Sequence, residues 1–198
     1  FDNLEALPVL LRQVRRDLGV DFRDVAFVSP DDNGVERCRE TGKLVDCGRI
    51  TLYMKGRNQE GELLKGGVIR DPDVVRDRVC FLIDDIVDTG GSLVQAARAL
   101  AEAGASHIYA VCVHPVLSTD QKTGESARNR ITASPIERLW VADTIPLSAA
   151  NAAFDKHFAD RLRVVSVAPL FAGAIKEIQA HGSVSAIFKR TCAEIMKD

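Results

Sequence analysis

Nine residues near the middle of the chain, Asp84-Asp85-Ile86-Val87-Asp88-Thr89-Gly90-Gly91-Ser92, carry the densest chemistry in the sequence. Two adjacent glycines let successive backbone N–H groups converge where a helix begins, which builds an anion site. Thr89 and Ser92 add hydroxyls that donate to the anion or cap the helix. The acids just upstream repel a phosphate, so they fit sugar hydroxyls or a metal ion better. Phosphate at one end and vicinal hydroxyls at the other describe a phosphorylated ribose. Three other readings of the same residues exist. One is a plain strand ending in Asp before an N-capped helix. Another is a Walker B carboxylate, which lacks its G-x-x-x-x-G-K-[ST] companion here. The third is an aspartic-protease Asp-Thr-Gly, which belongs to an all-β frame and not to the start of a helix.

The elements that must hold this loop can be read on both sides of it. Val79-Cys80-Phe81-Leu82-Ile83 is a continuous apolar run typical of a strand buried on both faces. Asp84 to Gly91 reads as a polar turn. Ser92 to Ala103 has Leu93, Ala96, Ala97 and Leu100 at helical spacing, with Gly104 as a stop. Ile108 to Val113 is the next strand. Strand, helix and parallel strand form a right-handed crossover, so the turn opens at the carboxyl edge of a parallel sheet. Elsewhere, helices are predicted over Leu4–Leu18, Gly34–Leu44, Ser126–Thr132 and Leu170–Ala180. Strands are predicted at Val25–Val28, Ile50–Met54, Leu139–Val141 and Arg163–Val167. Residues 55–72 break this rhythm with Gly56, Gly61, Gly66, Gly67 and Pro72 among charges, which predicts a long flexible loop or hairpin. The fold class is therefore α/β, a doubly wound parallel sheet, arranged as one domain over residues 1–198.

Composition narrows the function classes. Lys and Arg number 26 against 28 Asp and Glu, and the net charge of −2 without a basic block argues against nucleic acid as the main partner. Charges interrupt every apolar stretch before the ~18 residues that cross a bilayer. The N-terminus lacks a basic-then-apolar signal pattern, so a cytoplasmic protein with no membrane partner is expected. Five cysteines without a C-x-x-C pair fit reduced thiols, with Cys80 and Cys112 packed as small hydrophobes.

Val79 to Ala105 resembles the phosphoribosyl-diphosphate signature of the ribose-phosphate diphosphokinases (phosphoribosyl-pyrophosphate synthetases) and of the related type I phosphoribosyltransferases. Other stretches are similar to the synthetase branch. Val28-Ser29-Pro30-Asp31 matches its V-S-P-D, Lys55-Gly56-Arg57 its K-x-R, and Ser183-Val184-Ser185-Ala186-Ile187-Phe188 its C-terminal S-V-S-x-x-F; Asp143-Thr144-Ile145-Pro146 is in register. The chain departs from the pattern at Asp32-Asn33-Gly34, where a glycine pair is usual, and it resembles only the second of the family's two similar domains.

The resemblance implies a type I phosphoribosyltransferase fold and a reaction between Mg²⁺–ATP and ribose 5-phosphate that yields phosphoribosyl diphosphate and AMP. Asp88, Thr89, Gly90, Gly91 and Ser92 would cradle the 5-phosphate, with Asp84 and Asp85 on the ribose hydroxyls or an associated ion. Asp31 would help place Mg²⁺. Lys55 and Arg57 would be the catalytic cations that close over ATP, and Ser183, Ser185 and Phe188 would belong to an allosteric site between subunits. A homo-oligomer or a separate N-terminal half is the implied partner. The alternatives are a phosphoribosyltransferase that consumes phosphoribosyl diphosphate, or a non-catalytic regulatory homologue of the synthetase.

Overall fold

The computed structural model describes residues 4–57, 63–147 and 156–187. Among them the elements run α1 (Leu7–Leu18), β1 (Ala26–Ser29), α2 (Val35–Leu44), β2 (Ile50–Arg57), β3 (Leu63–Ile69), β4 (Val79–Val87), α3 (Gly91–Glu102), β5 (His107–Pro115), α4 (Ala127–Thr132), β6 (Arg138–Ala142), α5 (Lys156–Arg161), β7 (Leu162–Val165) and α6 (Ala168–Gln179). The strands form one sheet in the order β3-β2-β1-β4-β5-β6-β7. Every pairing is parallel except β2–β3, which is an antiparallel hairpin. Within the glycine-rich 55–72 segment, the described residues 55–57 and 63–69 therefore belong to two antiparallel strands. Their close approach requires Gly67, because a Cβ there would lie 2.2 Å from the Met54 carbonyl oxygen.

Side chains alternate across the central strands, as the pleat requires. Phe81 and Ile83 of β4 join Phe27, Val111 and Trp140 in a core covered by Leu10, Leu11 and Val14 of α1 and Cys38 of α2. Cys80 and Leu82 face the other way, onto Leu93, Ala97 and Leu100 of α3. With helices on both faces, the central strands are apolar on both sides, which is why the β4 run is continuous rather than alternating. Cys38, Cys47, Cys80 and Cys112 are buried and unpaired, and burial pushes the Cys38 and Cys80 thiols up to about 12. They pack as hydrophobes; Cys192 lies outside the described residues.

The chain order reverses between β1 and β4, which are adjacent in the sheet although two strands separate them in sequence. Crevices at the carboxyl ends of strands flanking such a switch are where open α/β sheets bind ligands. Asp31 follows β1 and the Asp84–Ser92 segment spans the end of β4, so the topology itself brings them together. No described helix is long and apolar enough to cross a membrane.

Candidate active site

The strand β4 runs further than its apolar residues indicate. Asp84 pairs with Cys112, and the ladder continues through Val87 opposite Pro115. The expected polar turn over Asp84–Gly91 is thus shortened to residues 88–90, and Asp84 and Asp85 sit on rigid strand. The chain then turns at Gly90, which adopts the left-handed conformation (φ 71°) as the N-cap of α3. Among the described residues no side chain caps this helix. Thr89 and Ser92, candidates for that role, leave the first-turn amides to another acceptor, and an uncapped N-terminus is an anion seat. Asp31, Asp84, Asp85, Asp88, Thr89, Gly90, Gly91 and Ser92 line a single cavity of about 200 Å³.

The two strand acids are held by a residue that sequence spacing does not reveal. Arg37 of α2 donates Nη1 to Asp84 Oδ1 at 3.0 Å and Nη2 to Asp85 Oδ2. Asp84 also accepts the Asp85 backbone N–H at 2.9 Å. The Asp84 side chain is 15% exposed and that of Asp85 51%, so Asp84 is sealed beneath the guanidinium while Asp85 faces the cavity. The signal available in sequence was a lone arginine one turn into the helix after Ser29-Pro30-Asp31. Nothing local distinguishes it from the exposed Arg39.

Burial, and then the neighbouring Asp85 carboxylate, lift the Asp84 carboxyl from 3.8 to about 7, against the opposing pull of the Asp85 backbone N–H and Arg37. The fold therefore holds a proton that the unfolded chain releases near pH 4. This contribution to stability is complete below pH 4 and is lost as pH rises through 7. Thermal unfolding from pH 5 to pH 8 should show the parent chain losing at least ~2 °C relative to Asp84→Asn, the shift that about 1 kcal/mol gives at this size. Parallel pH profiles for the two proteins would contradict the assignment.

Asp31 accepts the Asn33 and Gly34 N–H groups through Oδ1, both at 3.0 Å. That carboxylate, not a left-handed Asn33, makes the turn where the family's glycine pair is replaced. Gly34 remains necessary because a Cβ there would meet Ser29 Oγ at 2.6 Å. Asp88 accepts from Ser118 Oγ, which ties the cradle to the segment after β5.

Lys55 reaches the cradle from the hairpin, its Nζ 3.2 Å from Ser92 Oγ. Arg57 ends β2 opposite Leu63, with its side chain outside the described residues. Ser183 and Ser185 are exposed around a short helical turn at 184–187, and Phe188 lies outside the described residues. His114 Nδ1 lies 2.8 Å from Thr144 Oγ1, which itself donates to the Val113 carbonyl at 3.2 Å.

No group of three His, Cys, Asp or Glu able to hold a metal occurs among the described residues. Magnesium usually takes only one or two carboxylates and completes its shell with substrate phosphates and water. Asp31 and Asp85, hard oxygen donors on one cavity, fit that mode.

An open, mostly parallel sheet with an uncapped, glycine-turned helix start at its switch point, flanked by strand acids, is the architecture of the type I phosphoribosyltransferase class. The chain belongs to the family described as "Phosphoribosyl synthetase-associated domain", which matches residues 68–189. It is 36% identical over 187 residues to a ribose-phosphate pyrophosphokinase of Burkholderia pseudomallei, covering 94% of this chain and 53% of that protein. A ribose-phosphate pyrophosphokinase of Rhizobium meliloti is 37% identical over 188 residues, covering 94% of this chain and 55% of its own length. Among solved structures, the phosphoribosylpyrophosphate synthetase from Mycobacterium smegmatis superposes with a TM-score of 0.71 at 25% identity, covering 89% of this chain and 51% of that one. The chain spans about half the length of the relatives it matches.

Proposed function

We propose that the chain supplies the ribose-5-phosphate site of a ribose-phosphate diphosphokinase. The single observation that carries this is the uncapped start of α3 at Gly90, sharing one cavity with Asp84 and Asp85. The 5-phosphate accepts the first-turn N–H groups, and the ribose hydroxyls compete with Arg37 for the exposed Asp85. So held, the C1 hydroxyl oxygen attacks the β-phosphorus of ATP and gives up its proton to water; the bond from that phosphorus to the oxygen of the α-phosphate breaks, and AMP leaves with that oxygen. Lys55, and Arg57 two residues further on, neutralise charge on the moving diphosphoryl group. Phosphoryl transfer depends chiefly on positioning and charge stabilisation, and these residues supply both without a covalent intermediate. Asp31 and Asp85 would hold a magnesium ion, which would supply positive charge to the ATP phosphates.

A partner half, from the same or another chain, completes the ATP site. The half-length match to the two pyrophosphokinases supports this. It equally supports a second reading, a non-catalytic associate of a synthetase that binds phosphate ligands without turnover. Supplying the partner half together with ATP and ribose 5-phosphate separates the readings. AMP released in step with phosphoribosyl diphosphate supports the kinase. Diphosphate release that depends on a nitrogenous base would support a phosphoribosyltransferase, and no turnover would support the associate.

A further inference from the structure

The wall behind the glycine pair is built by α4 and the segment before it, none of which the proposed chemistry uses. Arg130 is the centre of that wall and is only 13% exposed. Its Nε donates to Glu125 Oε2 at 3.0 Å, and its Nη2 to Asp120 Oδ2 and Thr123 Oγ1, both at 3.2 Å. Its Nη1 donates to the Thr89 carbonyl at 3.2 Å. The next residue, Ile131, backs Gly90: a Cβ on that glycine would lie 3.4 Å from Ile131 Cγ1. A Cβ on Gly91 would lie 3.3 Å from Arg130 Nη1, so Gly91 is small where the guanidinium comes closest.

We propose that Arg130 is the positioning residue of the anion cradle, acting through the Thr89–Gly90 peptide. In a planar trans peptide the carbonyl and the following N–H point in opposite directions. Anchoring the Thr89 oxygen on Arg130 therefore turns the Gly90 N–H away from α4, to the side where the cavity lies. Two carboxylates share the guanidinium, so the trio is net negative and does not attract a phosphate by charge. Its effect is orientation, which needs the rigid planar fork of arginine rather than any cation. The role rests on the phosphate-cradle reading but concerns the backbone of that cradle, which is observable without ligand.

The test pairs amide NMR with calorimetry on the parent chain, Arg130→Met, Arg130→Lys and the double variant Asp120→Asn/Glu125→Gln. Without ligand, the Gly90 and Gly91 amide resonances should shift in Arg130→Met, while that of Gly104, at the far end of α3, stays in place. Unchanged Gly90 and Gly91 resonances overturn the proposal whether or not any ligand binds. Arg130→Met should bind ribose 5-phosphate at least tenfold more weakly than the parent, and Arg130→Lys within threefold of Arg130→Met. Lysine restoring parental affinity would overturn the role of the fork, and parental affinity in Arg130→Met would overturn the proposal altogether. The double variant keeps the hydrogen bonds and removes two negative charges; affinity within threefold of the parent supports orientation, and stronger tightening overturns it in favour of charge. Arg130→Lys carries the same amide readout should Arg130→Met not fold. A parent that binds no ribose 5-phosphate refutes the proposed function, and the amide shifts still decide the role of Arg130.

Discussion

Gly90→Val should weaken ribose 5-phosphate binding by at least ~100-fold. Gly90 sits at φ 71° and ψ 5°, a conformation that costs an L-residue about 1–2 kcal/mol and is worse for a β-branched side chain. Ile131 stands behind it, so the added methyls cannot be relieved by moving backward. The loop relaxes forward instead, and the amides that converge on the anion diverge. Hydrogen bonds to a charged group are worth about 1.5–3 kcal/mol each. Losing two therefore exceeds the ~1.4 kcal/mol per tenfold needed for a hundredfold effect. Gly104→Val is the control, since Gly104 is also left-handed, at φ 86°, but lies outside the cavity. It should lower the melting temperature without changing affinity. Equal affinity in Gly90→Val and the parent, measured by calorimetry, would remove the backbone cradle from the account.

Lys55→Ala should lower kcat for AMP formation by ~10²–10³, the usual consequence of removing one group that stabilises developing charge. Its ammonium meets the neutral Ser92 hydroxyl and pairs with no carboxylate among the described residues, which leaves its charge directed at the cradle. Ribose 5-phosphate affinity should fall less, by under about tenfold, because the first-turn amides remain and an exposed ion pair is worth about 1 kcal/mol or less. Single-turnover assays with the partner half present measure the first effect, and calorimetry the second. A variant with parental kcat would contradict a catalytic role for the hairpin. If the chain's biological effect also survived, the non-catalytic reading would gain.

The parts of this site that lie close together in sequence were legible from their own pattern; of the parts brought in from a distance, Asp31 and Lys55 were reached only through the family resemblance and the arginines not at all. The β4–turn–α3 unit is set by one apolar run, one glycine pair and one helical spacing, all within residues 79–104. The extension of β4 through Asp84–Val87 was missed because the side chains turn polar where the backbone ladder with β5 continues. The hairpin was legible only as an alternative to a loop, since strand β3 contains Gly66 and Gly67, which weaken a strand signal. Arg37 and Arg130 were invisible as site residues. Each is one arginine on an amphipathic or short helix, and its importance comes from a contact 47 or 41 residues away. At 184–187 the mixed apolar and polar order of Val184-Ser185-Ala186-Ile187 fits both periods, and the helical turn prevailed.

The most direct test is a crystal structure of the chain with ribose 5-phosphate. The account predicts phosphate oxygens ~2.7–3.2 Å from the backbone nitrogens at the start of α3 and ribose hydroxyls on Asp85. Those amides bonded instead to protein atoms, with the sugar phosphate absent or bound elsewhere, would contradict it.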